Sequence, residues 1–161
     1  MARVFVAPDS KEVAHMLTWL FGREVKVGTG SRLSTGARDR YTLSTYVDEK
    51  GRAVALAAMD LPLTAGLGGA LSLFPPHQLK PMIEAGKFDA GVWANTREVY
   101  NVLSKYFHEA YEGMVQVGET YEDPESIPLD VKRMIRAVNK RADFRIEVPG
   151  YPPGIVALLA T

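Results

Sequence analysis

Of the 161 residues, 47% are hydrophobic and 24% charged, with 19 basic residues balanced by 19 acidic ones and no cysteine. An apolar fraction of this size suits one globular domain over 1–161 that buries roughly two-thirds of its unfolded surface. Zero net charge leaves no long-range field to draw nucleic acid or an anionic membrane, and the lack of Cys excludes disulfides, thiolate zinc sites and a cysteine nucleophile.

In chain order, residues 3–7 (Arg-Val-Phe-Val-Ala) are predicted as a short strand, and this apolar run is far too short for a secretory signal. Pro8-Asp9-Ser10 then supplies helix-start residues, and Val13, Met16, Leu17, Leu20 and Phe21 form the stripe of a helix over 10–21 that stops at Gly22. Residues 24–27 read as a strand and 28–36 as a turn-rich loop, with Arg32, Arg38 and Arg40 forming a basic stretch that suits a solvated loop. Residues 41–47 and 52–59, joined by Asp48-Glu49-Lys50-Gly51, carry the clearest hairpin signal.

Residues 61–70 contain a Pro and three Gly, yet Gly66-Leu67-Gly68-Gly69 has neither the Lys-Ser/Thr ending of a phosphate loop nor the glycine spacing of a dinucleotide site. Pro75-Pro76 and Pro81 bracket a short helix to about Ala85, ended by Gly86. A long helix is predicted over 89–110, closed by Gly113. A strand at 114–119, an amphipathic helix at 129–138 and strands at 144–148 and 155–159, turned by Gly150-Tyr151-Pro152-Pro153-Gly154, complete the chain. Helices interspersed with antiparallel hairpins predict an α+β fold, a mostly antiparallel sheet covered by helices.

Candidate chemistry is sparse. His15, His77 and His108 show no metal-ligand spacing, and no Gly-x-Ser-x-Gly elbow is present. Trp19, Trp93 and Tyr100 suit packing in a core or an interface better than base stacking. No stretch approaches the roughly 18 apolar residues of a membrane span, so a soluble cytoplasmic protein is expected.

The 89–110 helix carries the most informative pattern. Ala94, Glu98, Asn101, Lys105 and His108 fall on one helical face, while Val92, Val99, Leu103, Tyr106 and Ala110, widened by Val102 and Phe107, fall on the other. Glu98 and Asn101, three residues apart, therefore stand side by side on a face expected to be exposed. A carboxylate accepts from a Lys, and a carboxamide both donates and accepts, so it can aim a water at a phosphoryl electrophile with no metal of its own. The same spacing also suits two solvating residues.

With its surroundings, the pair resembles the signature of the CheC/CheX family of chemotaxis phosphatases: Asp or Ser, three residues, Glu, two residues, Asn, then 22 residues and Pro. Glu98, Asn101 and Pro124 stand at the matching positions, and Ala94 departs from the Asp or Ser. The segment from Gly69 to Gly86 also looks like the short helical region before the active-site helix in CheX-like proteins. The resemblance implies long helices on one face of the antiparallel sheet, and a phosphatase acting on the aspartyl phosphate of a response-regulator receiver domain. In that reading Glu98 docks against the receiver's Lys, Asn101 orients the water, and Ala94, Arg97 and Lys105 border the partner. Mg²⁺ would come with the receiver, leaving this chain without a cofactor of its own. On the first helix, Glu12-Val13-Ala14-His15 occupies the place of a second site, but His replaces Asn and no Pro follows at the offset, so one site at most is expected. A non-catalytic dimerisation or partner-binding module, including a homodimer, is the alternative that Ala94 invites.

Overall fold

The computed structural model describes residues 5–111, 114–137 and 140–161, with the side chain of Glu109 left out. Among these residues the helices are α1 (Ser10–Phe21), α2 (Leu61–Leu71), α3 (Leu79–Ala85), α4 (Ala90–Leu103) and α5 (Leu129–Arg136). The strands are β1 (Lys26–Thr29), β2 (Tyr41–Val47), β3 (Ala53–Asp60), β4 (Gln116–Tyr121), β5 (Lys140–Glu147) and β6 (Gly154–Ala160). They form one six-stranded sheet in the order β1-β5-β6-β3-β2-β4, antiparallel throughout. The expected α+β architecture is therefore the observed one.

The two faces of the sheet are separated by the two-residue period of the strands. Ala55, Ala57 and Met59 of β3 join Val156 and Leu158 of β6 under α1, α2 and α4, in one core with Leu17, Leu67, Val99 and Leu103. The intervening residues, Leu56 and Ala58 with Ala157 and Leu159, pack on the opposite face against Val131 and Ile135 of α5 and Leu33 of the β1–β2 loop. The long helices thus lie on one face, as expected, while the short α5 partly covers the other. Burial on both faces is why β3 and β6 read as continuous apolar runs rather than alternating ones.

Local chemistry sets most boundaries. Asp9 caps α1 by accepting from Glu12 N at 2.8 Å, and Gly22 ends it in the left-handed conformation, φ 68°. In the β2–β3 turn, Asp48 accepts from both Lys50 N and Arg52 N. Asp60 accepts from Leu63 N at 2.9 Å and so starts α2, with Pro62 in its first turn. That helix, buried almost all round, is the element that reading 61–70 only as a failed phosphate loop left unplaced.

Several boundaries move. Phe5, Val6 and Ala7 are not a strand; Phe5 instead anchors the segment against Phe107, ring centroids 5.3 Å apart, and residues 3 and 4 lie outside the described residues. The strand expected at 24–27 is displaced to Lys26–Thr29, where it finds its partner in β5. The helix expected over 89–110 is α-helical only to Leu103 and continues as a 3₁₀ segment, Ser104–Ala110. Ser104 Oγ donates to Asn101 O at 2.6 Å, a side chain competing for a helix carbonyl where the ladder changes. The expected ends at Gly113 and Val138 lie outside the described residues. β4 begins at Gln116 rather than Met114, and β5 extends back from Phe144 to Lys140.

Candidate functional site

Asp89 starts α4 by accepting from Gly91 N at 2.9 Å, and the helix is then gripped on its inner side. Val92, Thr96, Val99, Tyr100 and Leu103 are buried there, and Gly68 of α2 lets the two helices touch at Thr96 and Val92. A polar network fixes the rotation of α4 about its axis. Tyr100 Oη lies 2.7 Å from Thr42 Oγ1, itself 2.9 Å from Thr64 Oγ1, while Thr96 Oγ1 donates to Thr64 O at 2.9 Å. Tyr46 Oη completes the clamp by donating to Tyr100 O at 2.7 Å. Burial pushes both phenols up, so they remain neutral donors.

With the inner face held this way, Ala94, Glu98, Asn101, Lys105 and His108 are all exposed, the outward face expected from the periodicity, and the flanking Arg97 is exposed as well. Among the described residues, neither the Glu98 carboxylate nor the Asn101 carboxamide has a hydrogen-bond or ion-pair partner, so both groups are open to a ligand. Ala94 lies one turn before Glu98 on this face and contributes only a methyl group. Lys105 lies over the Tyr106 ring, its Nζ 5.4 Å from the centroid, and Tyr106 is raised to about 12 by burial first and by Glu12 and Asp9 second.

Pro124 is placed elsewhere. It opens the 3₁₀ turn Pro124–Ser126 and lines a cavity with Phe88, just before α4 begins; Phe88 N donates to Glu122 Oε1 at 2.9 Å. Nine residues of helix from Asp89 to Glu98 rise roughly 14 Å, so the matched proline belongs with the start of α4 rather than with the pair.

Sequence reading missed Asn95, whose Nδ2 donates to Gly68 O and to Ser72 Oγ and ties the end of α2 to α4. It also placed Arg40 in a solvated loop, whereas its guanidinium donates to Ile83 O and Glu84 O at the end of α3. The signal for Arg40 lay in its partner: the last carbonyls of a short helix attract a cation. Trp19, expected in a core or an interface, is 81% exposed and so is not in the core. Among the described residues no His, Asp and Glu side chains are grouped to hold a metal ion, and no helix is long and apolar enough to cross a membrane.

The same architecture occurs in known proteins. The middle domain of FliM from Vibrio alginolyticus superposes with a TM-score of 0.59 over 93% of this chain and 86% of that one, at 13% identity. This chain shares a FliM-like fold. FliY from Thermotoga maritima gives a TM-score of 0.55 over 92% and 81% of the two chains at 12% identity, and a chain of the FliG-FliM complex from H. pylori gives 0.54 over 94% and 85% at 6% identity. No protein-family model and no curated protein matches the sequence. At these identities the likeness is one of fold, so the chemistry has to be argued from the residues of α4.

Proposed function

We propose that the outward face of α4 is a docking surface for a response-regulator receiver domain, and that Glu98 and Asn101 act there on the receiver's aspartyl phosphate. The observation that carries this reading is the exposure of a carboxylate and a carboxamide, side by side and unengaged, on a helix whose rotation is fixed by a buried network. Glu98 would accept from the receiver's active-site Lys and set the register. Asn101 would hold a water in line with phosphorus by donating to it and accepting from it. The receiver's own Mg²⁺ would neutralise charge on the phosphoryl oxygens, so this chain supplies positioning. Arg97 and Lys105 flank the pair and favour an anionic partner surface.

The test is the decay of phosphate on a purified receiver domain, with and without this protein. Asn101→Ala is expected to lower the acceleration by roughly 10²–10³ while leaving binding in place, the scale for loss of one preorganised polar group. Glu98→Ala is expected to weaken binding as well. Equal rates for the native chain and Asn101→Ala would refute catalysis by this pair.

A second reading, a non-catalytic dimerisation or partner-binding module, is favoured by Ala94, which removes the polar side chain that the motif carries one turn before Glu98. FliM, a neighbour in fold, is itself seen in complex with FliG. Under this reading the receiver or another protein binds the α4 face, or a second copy does, without loss of phosphate. Ala94→Asp separates the two readings, because it raises turnover only where Glu98 and Asn101 already act.

A further inference from the structure

The sheet face opposite α4 carries a cavity of about 280 Å³ between the β1–β2 loop and α5. Three cations line it, Arg32 from the loop and Lys132 and Arg136 from α5, together with Thr35, Tyr41 and the apolar Ile135. No carboxylate is among the lining residues. Lys132 and Arg136 are four residues apart on one helix, where like charges repel, and among the described residues none of the three cations has an ion-pair or hydrogen-bond partner.

Tyr41 adds a free polar group to the lining. The residue as a whole is 3% exposed, and its hydroxyl has no hydrogen-bond partner among the described residues. Among the described residues no fully buried side-chain oxygen or nitrogen is left unpartnered, so this hydroxyl retains some accessibility, and Tyr41 is one of the residues that line the cavity. Burial, and secondarily the Asp39 carboxylate, raise the phenol above its usual range and keep it a donor. Asp39 itself is engaged, accepting from Gly36 N at 2.7 Å.

We infer that this cavity is a binding site for a small phosphate dianion, held by Arg32, Lys132 and Arg136 and by a hydrogen bond from Tyr41. Arg and Lys together suit phosphate, the guanidinium through paired N–H donors and the ammonium as a compact charge. The volume falls just below the roughly 300–1,000 Å³ of drug-sized pockets, which suits inorganic phosphate or the phosphate of a small monoester rather than a nucleotide. The site lies across the sheet from Glu98 and Asn101, and it stands whether or not that pair is catalytic.

The test is an NMR titration of the full chain with inorganic phosphate, and separately with glycerol 3-phosphate, at ionic strength held constant with chloride. Saturable shifts are expected at the amides of residues 35–37 and 132–136. Lys132→Ala and Arg136→Gln are each expected to weaken binding about tenfold, as loss of one charged hydrogen bond does. Tyr41→Phe should weaken it more modestly, and Arg145→Ala, on β5 outside the cavity, should leave it unchanged. Tighter binding of phosphate identifies the free anion as the ligand and tighter binding of glycerol 3-phosphate a monoester; either supports the site. Shifts that do not saturate, or an Arg136→Gln chain that binds as tightly as the native one, would overturn it.

Discussion

Replacing Gly68 with Ala tests how α2 and α4 are held together. An ideal Cβ at Gly68 would overlap Thr96 Oγ1 and Val92 O, and it would press on Val92 Cγ1 at 2.9 Å. Val92 O is backbone within α4 and cannot rotate away. Thr96 Oγ1 is committed to Thr64 O at 2.9 Å and Val92 O at 3.1 Å, so moving it sacrifices a buried bond. Overpacking of this kind costs about 1–3 kcal/mol, and loss of one such bond about 1 kcal/mol more. Against this, Ala is favoured over Gly in a helix by about 1 kcal/mol. The balance is a net destabilisation of about 2 kcal/mol, which for a chain of this size lowers Tm by about 4–8 °C. Thermal unfolding followed by circular dichroism measures it, with urea unfolding as a second readout. Gly28→Ala, on β1, is the control, because a Cβ there meets nothing within 4 Å. A Gly68→Ala protein as stable as the native chain, or more so, would refute this account of the α2–α4 contact.

Three further outcomes are expected. Leu73 sits at the end of α2 with φ 56° and is 71% exposed, so Leu73→Gly should relieve backbone strain and raise stability by about 1 kcal/mol, read from the urea midpoint. Tyr100→Phe should cost about 1 kcal/mol, because it removes the bond to Thr42 while Thr42 keeps its bond to Thr64; an unchanged urea midpoint would deny the network that role. Burial raises Asp60 above its reference pKa of 3.8, outweighing the N–H groups of Leu63 and Ile155. A carboxyl raised on folding contributes stability in full below the unfolded pKa and loses it as pH rises through the folded one, so Asp60→Asn should flatten the decline in unfolding free energy that begins above pH 3.8. Urea titrations of both proteins across that range measure the difference.

What the chain by itself determined was local. Helix α1 was legible at both ends because its signals are neighbours in sequence, an Asp cap before it and a Gly after it. The same holds for the β2–β3 hairpin, whose turn is built from Asp48 and the backbone groups just beyond it. The outward face of α4 was legible too, since a helix of fixed period sorts Glu98 and Asn101 away from Val92, Val99 and Leu103 whatever lies beneath. Other features depended on partners far along the chain. Helix α2 looked like a glycine-rich loop because its glycines serve close contacts, Gly66 with Pro152 and Gly68 with Thr96, rather than a turn. Strand β1 took its position from pairing with β5, more than 110 residues away, and Arg40 took its role from carbonyls of α3. The cavity lined by Tyr41 exists only because α5 brings Lys132 and Arg136 up to the loop that holds Arg32. Periodicity and capping act within a few residues and so can be read along the chain. Register, close backbone approach and the gathering of charges are energies between distant segments, and they take their values only once the sheet has brought those segments together.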